Sequence, residues 1–171
     1  MNKAFDYYTK CAILSCNLKD YSSVISCYKT VLELINIKTI NPVIQQFWIF
    51  LAANANQQCG NFKEASYLWR KLINWESNST LFDNHLFHFK LGYCLSRSGK
   101  VFDAYMVLES LQEVLKKQKN EILADVLIVL IGITDQLGKK EDKEIYYNWA
   151  LDLCQNFNDK SKYYKLLGKV I

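Results

Sequence analysis

Three glycines, Gly60, Gly99 and Gly138, stand 39 residues apart, and the residues around them recur in phase. Nine positions after each glycine come Trp69, Leu108 and Tyr147, and twelve after come Leu72, Leu111 and Ala150. A fixed period of this size confines a chain to stacked copies of one supersecondary unit, because a single unit cannot bury its apolar face alone. Extending the frame backwards puts Lys19 in the glycine's place, 41 residues before Gly60, with Tyr28 and Val31 at the same offsets. Seven residues before each anchor lie Ala12, Ala53, Gly92 and Ile131; five after lie Val24, Ala65, Ala104 and Lys143. Small residues at those two offsets let a pair of antiparallel helices cross closely, and the larger ones further along fill the widening gap. The glycine ends the first helix of each pair, since a left-handed cap costs a residue without a Cβ nothing.

The pattern predicts helices over 3–17, 20–36, 42–59, 61–76, 80–98, 100–118, 120–137 and 140–156, with a last one from 160 to the end. Pro42 suits the first turn of the third helix, where a missing amide hydrogen is harmless. The stretch 76–80 reads as a loop. The apolar run from Val126 to Ile133 has the look of a buried strand, but nothing from Asn120 to Gln136 signals a turn, so the frame makes it a buried helix. That run is also the longest of its kind. A membrane-spanning helix needs about 20 apolar residues, so no membrane insertion is expected.

With 50% hydrophobic residues, one proline and 171 residues, the chain can bury the core of a single domain over 1–171. Its 21 basic and 17 acidic residues are interspersed, which does not make the concentrated basic face that phosphate binding needs. Nucleic acid is therefore not an expected partner. The start of the chain lacks the basic patch and apolar stretch of a secretory leader, which predicts a cytoplasmic location. Accordingly the six cysteines, at 11, 16, 27, 59, 94 and 154 and without a Cys-x-x-Cys pair, are expected to be reduced, small core residues.

Chemistry-bearing motifs are sparse. His85 and His88 are three apart, yet no third and fourth ligand stands a helical turn away, so no metal is expected; His85 should be exposed and His88 packed. No phosphate loop, nucleophile elbow or His-Glu-x-x-His is present, and Cys59 or Cys94 near those histidines lacks an orienting group. The chain reads as a non-enzyme with no cofactor and no small-molecule ligand. Lys116 and Lys117 fit the cation preference of a helix C-terminus, and the mixed run 139–144 a solvated turn.

The segment Gln58-Cys-Gly60-Asn-Phe62-Lys-Glu64-Ala65, followed by Trp69 and Leu72, resembles the tetratricopeptide repeat, as does Leu91-Gly92-Tyr93 leading to Gly99 and Asp103-Ala104. The resemblance is strong over 43–115 and weak over 120–157. It departs from the family in its period of 39 to 41 residues against about 34, and in lacking the closing proline. It implies an all-α, right-handed superhelical solenoid of about four antiparallel helix pairs, roughly 3–37, 42–77, 80–118 and 120–157, plus a terminal helix at 160–171.

The resemblance further implies that first helices line a concave groove. The positions expected to face it are Thr9, Ile13 and Cys16, then Phe50, Asn54 and Gln57, then Phe89, Tyr93 and Ser96, then Ile128, Gly132 and Asp135, with Phe47 and Arg97 flanking. An aromatic middle with amides suits a partner peptide or amphipathic helix, and the same aromatics could instead simply pack between helices. The lysines and asparagines with which some family members clamp a chaperone's terminal carboxylate are not at the matching places; Lys90 alone remains. The reading is a protein–protein interaction module, an adaptor, assembly factor or chaperone of the small secretion type. An obligate subunit of a larger complex is the alternative, and an RNA-binding helical repeat a third.

Overall fold

A computed structural model describes residues 3–34, 41–75, 84–118 and 122–156. It holds eight α-helices and, among the described residues, no strand: α1 (Lys3–Asn17), α2 (Tyr21–Leu34), α3 (Pro42–Gln58), α4 (Phe62–Ile73), α5 (Asn84–Arg97), α6 (Val101–Gln118), α7 (Ile122–Gln136) and α8 (Lys140–Asn156). Every helix expected from the period within those residues is present, the 126–133 run included. The loop at 76–80 and the terminal helix at 160–171 lie outside the described residues. By its contacts the chain divides into two compact units, Met1–Cys94 and Leu95–Ile171.

The anchors do what the period requires. Gly60, Gly99 and Gly138 take φ of 78°, 85° and 70°, and Lys19, the substitute in the frame, takes 60°. Each first helix closes with the same pair of hydrogen bonds. The anchor's N–H reaches the carbonyl three residues back, from Lys19 to Cys16 at 3.0 Å and from Gly60 to Gln57, Gly99 to Ser96 and Gly138 to Asp135 at 3.2 Å. The following N–H reaches five back, from Asp20 to Ser15 at 2.8 Å, Asn61 to Asn56 at 2.8 Å, Lys100 to Leu95 at 2.9 Å and Lys139 to Thr134 at 2.9 Å. Four turns so alike reverse the chain in the same way four times.

The starts of α2 and α3 are secured by side chains. Asn41 accepts from the Val43 amide at 2.9 Å with Pro42 in the first helical position. Asp20 accepts from the Ser23 amide at 3.2 Å and from the hydroxyls of Ser22 at 2.7 Å and Ser23 at 2.6 Å, which hold its carboxyl below the usual carboxylate range. A cap such as Asn41 contributes about 0.5–2 kcal/mol. At the α3–α4 turn the buried Asn56 donates to the Ala52 carbonyl at 2.9 Å and accepts from Asn61 at 3.2 Å, so its desolvated amide is paired.

The small residues at the crossing offsets are buried, Ala12, Val24, Ala53, Ala65 and Ala104 completely. Lys143, which breaks the pattern, is half-buried and forms an ion pair with Asp135 at 2.6 Å. In the first unit the core is aromatic: Trp48 packs on Phe5 at 6.2 Å and stacks on Tyr28 at 6.5 Å, while Trp69 packs on Phe87 and on Phe50, each at 5.7 Å. In the second, Leu108, Leu115, Val126, Leu127, Leu130 and Ile133 are fully buried.

The cysteine reading needs correction. All six are free thiols, but only Cys94 and Cys154 are buried; Cys11, Cys16 and Cys27 are half-buried and Cys59 is exposed. Apolar neighbours in sequence placed them at helical spacing without fixing the side they face; Cys59 sits at the α3 cap, which projects into solvent. His85 and His88 are both half-buried, so the expected contrast between them is absent.

Candidate functional site

The candidate groove residues lie mainly on α3 and α5. Spacings of three and four place Phe47, Phe50, Asn54 and Gln57 along one side of α3, and spacings of four do the same for Phe89, Tyr93 and Arg97 on α5. Within the first unit the two helices run side by side: Phe50 meets Phe87 at 6.3 Å, and Gln57 accepts a hydrogen bond from the Cys94 thiol at 3.6 Å.

The six candidates on α3 and α5 in the first unit are half-buried, an exposure that separates them from the core beneath. The Phe50 ring sits edge-on to Trp69 at 78° and tilts against Phe87. It serves the packing of α3 on α4 and α5, which fits the reading of these aromatics as core. Tyr93 packs edge-on against Phe62, the first residue of α4, at 6.1 Å. Phe89 carries the Lys90 ammonium 6.0 Å from its ring centre. Arg97 is exposed at the end of α5 and falls in the second unit.

Electrostatically this face is nearly bare. α3 has no charged residue, and between residues 84 and 94 α5 has Lys90 as its one lysine and no acid. Beneath them, burial pushes the Cys94 thiol up to about 12, with Lys90 and Trp69 opposing the shift; it is an inert packing group at neutral pH. Sequence reasoning missed Phe87, whose buried ring joins Phe50 to Trp69. It stands in the same frame position as Trp48, which was the available signal.

Elsewhere the chemistry is structural. No group of three or more metal-ligating side chains occurs among the described residues, and no helix among them is long and apolar enough to cross a membrane. Lys116 lies over the Trp149 ring at 4.7 Å and Lys139 over the Tyr105 ring at 3.9 Å. Tyr105 donates to Glu109 at 2.6 Å and lies 3.3 Å from Asp142. Burial and the Glu109 carboxylate push the Tyr105 hydroxyl up to about 12, and burial with the Tyr105 contact raises Tyr146 further. His88 Nδ1 lies 2.9 Å from the Asn84 carbonyl, and neither histidine joins a ligand set among the described residues.

No family model matches the chain, and no curated protein matches it by sequence. Solved structures do. The apo form of RapI is similar over 97% of this chain with a TM-score of 0.76 at 14% identity. PlcR of Bacillus thuringiensis, solved in complex with the peptide PapR7 and DNA, is similar over 97% with a TM-score of 0.63 at 15% identity. BtubC (BKLC) from P. vanneervenii is similar over 98% with a TM-score of 0.62 at 17% identity. The fold is thus the helical-repeat fold of RapI and PlcR. The chain spans 62%, 62% and 63% of the RapI, PlcR and BtubC chains.

Proposed function

We propose that the chain is a non-enzymatic tetratricopeptide-type module that holds a peptide or amphipathic helix of a protein partner against the α3–α5 face, with Phe47, Asn54, Gln57, Phe89 and Tyr93 as contacts. The observation that carries this reading is the half-buried aromatic and amide surface on two adjacent first helices. Half-exposed aromatics supply contact area at low entropic cost, and the amides beside them can bond a partner's backbone. A fold shared with a protein solved in complex with a peptide supports it. Phe50 is a support of that surface, since its ring is engaged with Trp69 and Phe87.

The test is a cross-linked pull-down from the native lysate with a Phe47→Glu, Phe89→Glu variant shown by circular dichroism to be folded. Loss of a partner that the wild type retains supports the reading. A folded variant that keeps every partner refutes it. A subunit role in a larger assembly is favoured by a different observation, the large apolar side chains exposed on α1.

A further inference from the structure

The turn at Lys19 sets two cysteines opposite each other. Cys11 stands eight residues before that anchor and Cys27 eight after it, on the two antiparallel helices α1 and α2. Residues about equally far from an anchor lie level in such a pair, because both helices rise by about 1.5 Å per residue. Contacts in other pairs follow this rule. Phe50, ten before Gly60, meets Trp69, nine after it, at 5.7 Å. Asp135, three before Gly138, meets Lys143, five after it, at 2.6 Å.

The first pair is also closely packed, since Ala12 and Val24 are fully buried at its crossing. Helix axes about 8–10 Å apart, with Cα atoms about 2.3 Å off axis, leave facing level Cα atoms about 3.5–5.5 Å apart. Those beside the contact line are somewhat further apart, within the roughly 4.4–6.8 Å that a disulfide spans. At the same offsets the α3–α4 pair has Ala52 and Leu68 and the α7–α8 pair Leu130 and Tyr146, all four buried. In the first pair both places hold sulfur, and both are half-buried and open to small molecules. The side chains share one neighbourhood. Burial raises the Cys27 thiol and the Cys11 sulfur adds to the shift, while the Tyr7 hydroxyl is raised by its hydrogen bond to Cys11 and also by Cys27. The remaining thiols lack such a partner: Cys16 has Ser22 at its matching offset, Cys59 has Asn61, and Cys94 and Cys154 are buried.

We infer that Cys11 and Cys27 are an oxidation site for peroxides, at which the two thiols close into a disulfide that clamps α1 to α2. The Cys11 thiolate attacks one oxygen of hydrogen peroxide, the O–O bond breaks, hydroxide leaves and takes up a proton, and a sulfenic acid remains. The Cys27 sulfur, having lost its proton, attacks that sulfenic sulfur; the S–S bond forms as the S–O bond breaks, and the departing hydroxide takes the proton and leaves as water. Two thiols are oxidised by two electrons in all, and one peroxide is reduced to two waters. Burial favours the protonated form of Cys27, which suits it to the second step.

The test is treatment of the reduced full chain with hydrogen peroxide, followed by intact mass and peptide mapping. The expected product is a monomer lighter by two hydrogens and restored by dithiothreitol, in which trypsin leaves peptides 11–19 and 20–29 joined. Cys16 lies in the first of these peptides, so the link is assigned in a Cys16→Ser background. The bridge should raise the melting temperature by about 6–12 °C, as a loop of this length implies. Cys11→Ser and Cys27→Ser should each abolish both bridge and shift while keeping the wild-type circular dichroism spectrum, and Cys11→Ala and Cys27→Ala take their place if serine disturbs the helices. Cysteines that gain oxygen without bridging overturn the inference, as does a bridge that maps to another pair or joins two chains. So does a bridge between Cys11 and Cys27 that leaves the melting temperature unchanged, because the helices would then have had to move to make it.

Discussion

Replacing Lys19 by glycine should stabilise the protein, and the structure sets how much. Lys19 is exposed and takes φ of 60° at a turn whose three counterparts are glycines. An L-residue held in the left-handed region costs about 1–2 kcal/mol. Glycine removes that cost and returns about 0.5–1 kcal/mol through the greater freedom of the unfolded chain. The net gain for Lys19→Gly is therefore about 0.5–1 kcal/mol, or about 1–4 °C in melting temperature for a chain of this size. The reciprocal changes, Gly60→Ala, Gly99→Ala and Gly138→Ala, should each lose about 1 kcal/mol. Nothing lies within 4 Å of an added Cβ at any of the three, so the loss is one of backbone conformation alone. Urea unfolding followed by tryptophan emission suits the Lys19 and Gly60 variants, because Trp48, Trp69 and Trp75 all belong to the first unit. A neutral or destabilising Lys19→Gly would refute the reasoning, as would a Gly60→Ala of unchanged midpoint.

Other outcomes follow from the same geometry. Gly132 is exposed in the interior of α7 with open space around it, so Gly132→Ala should raise stability by about 0.5–1 kcal/mol in thermal melts. Trp69→Ala removes a fully buried ring that packs on Phe50 and Phe87 and should cost about 3–5 kcal/mol by urea titration. Tyr28 and Tyr105 are held up to about 12 mainly by burial, and Tyr146 is raised further. Since their folded values lie above the ordinary tyrosine value, the stability they contribute is complete below about pH 10 and is lost as the pH climbs towards 12. An absorbance titration should therefore show these phenolates forming together with unfolding, whereas their early ionisation in the folded state would contradict it. Asp20 works in the opposite sense: its lowered value contributes stability above the ordinary aspartate range that disappears as the pH falls through the folded value. Asp20→Asn keeps the cap and should flatten the acid limb of the stability profile.

The repeat frame made most of the fold legible. Gly60, Gly99 and Gly138 located the turns, and the frame alone, against the chemistry of lysine, located the turn at Lys19. Hydrophobic spacing could not rank the faces of a helix that is apolar on several sides. In α1 Tyr7 and Leu14 are exposed at frame positions that are buried in α3, α5 and α7. The same ambiguity placed Cys59 inside. The amides of α3 were better guides, since an unpaired amide resists burial: Asn54 and Gln57 are indeed half-open, and Asn56, which is buried, has its partners.

The four turns carry an implication for how such a gene can change length. Gly60 and Gly99 present the same dihedral signature and the same pair of closing hydrogen bonds to the residue that follows. A recombination joining Gly60 directly to Lys100 would excise 39 residues and leave a junction whose backbone is already correct, with an α3-type helix leading into an α6-type one. Ala53 and Ala104 would then meet at the crossing where each now has another small residue for its partner in the frame. The turns are thus natural splice points, and arrays of this kind can gain or shed whole units while each new boundary inherits a solved geometry.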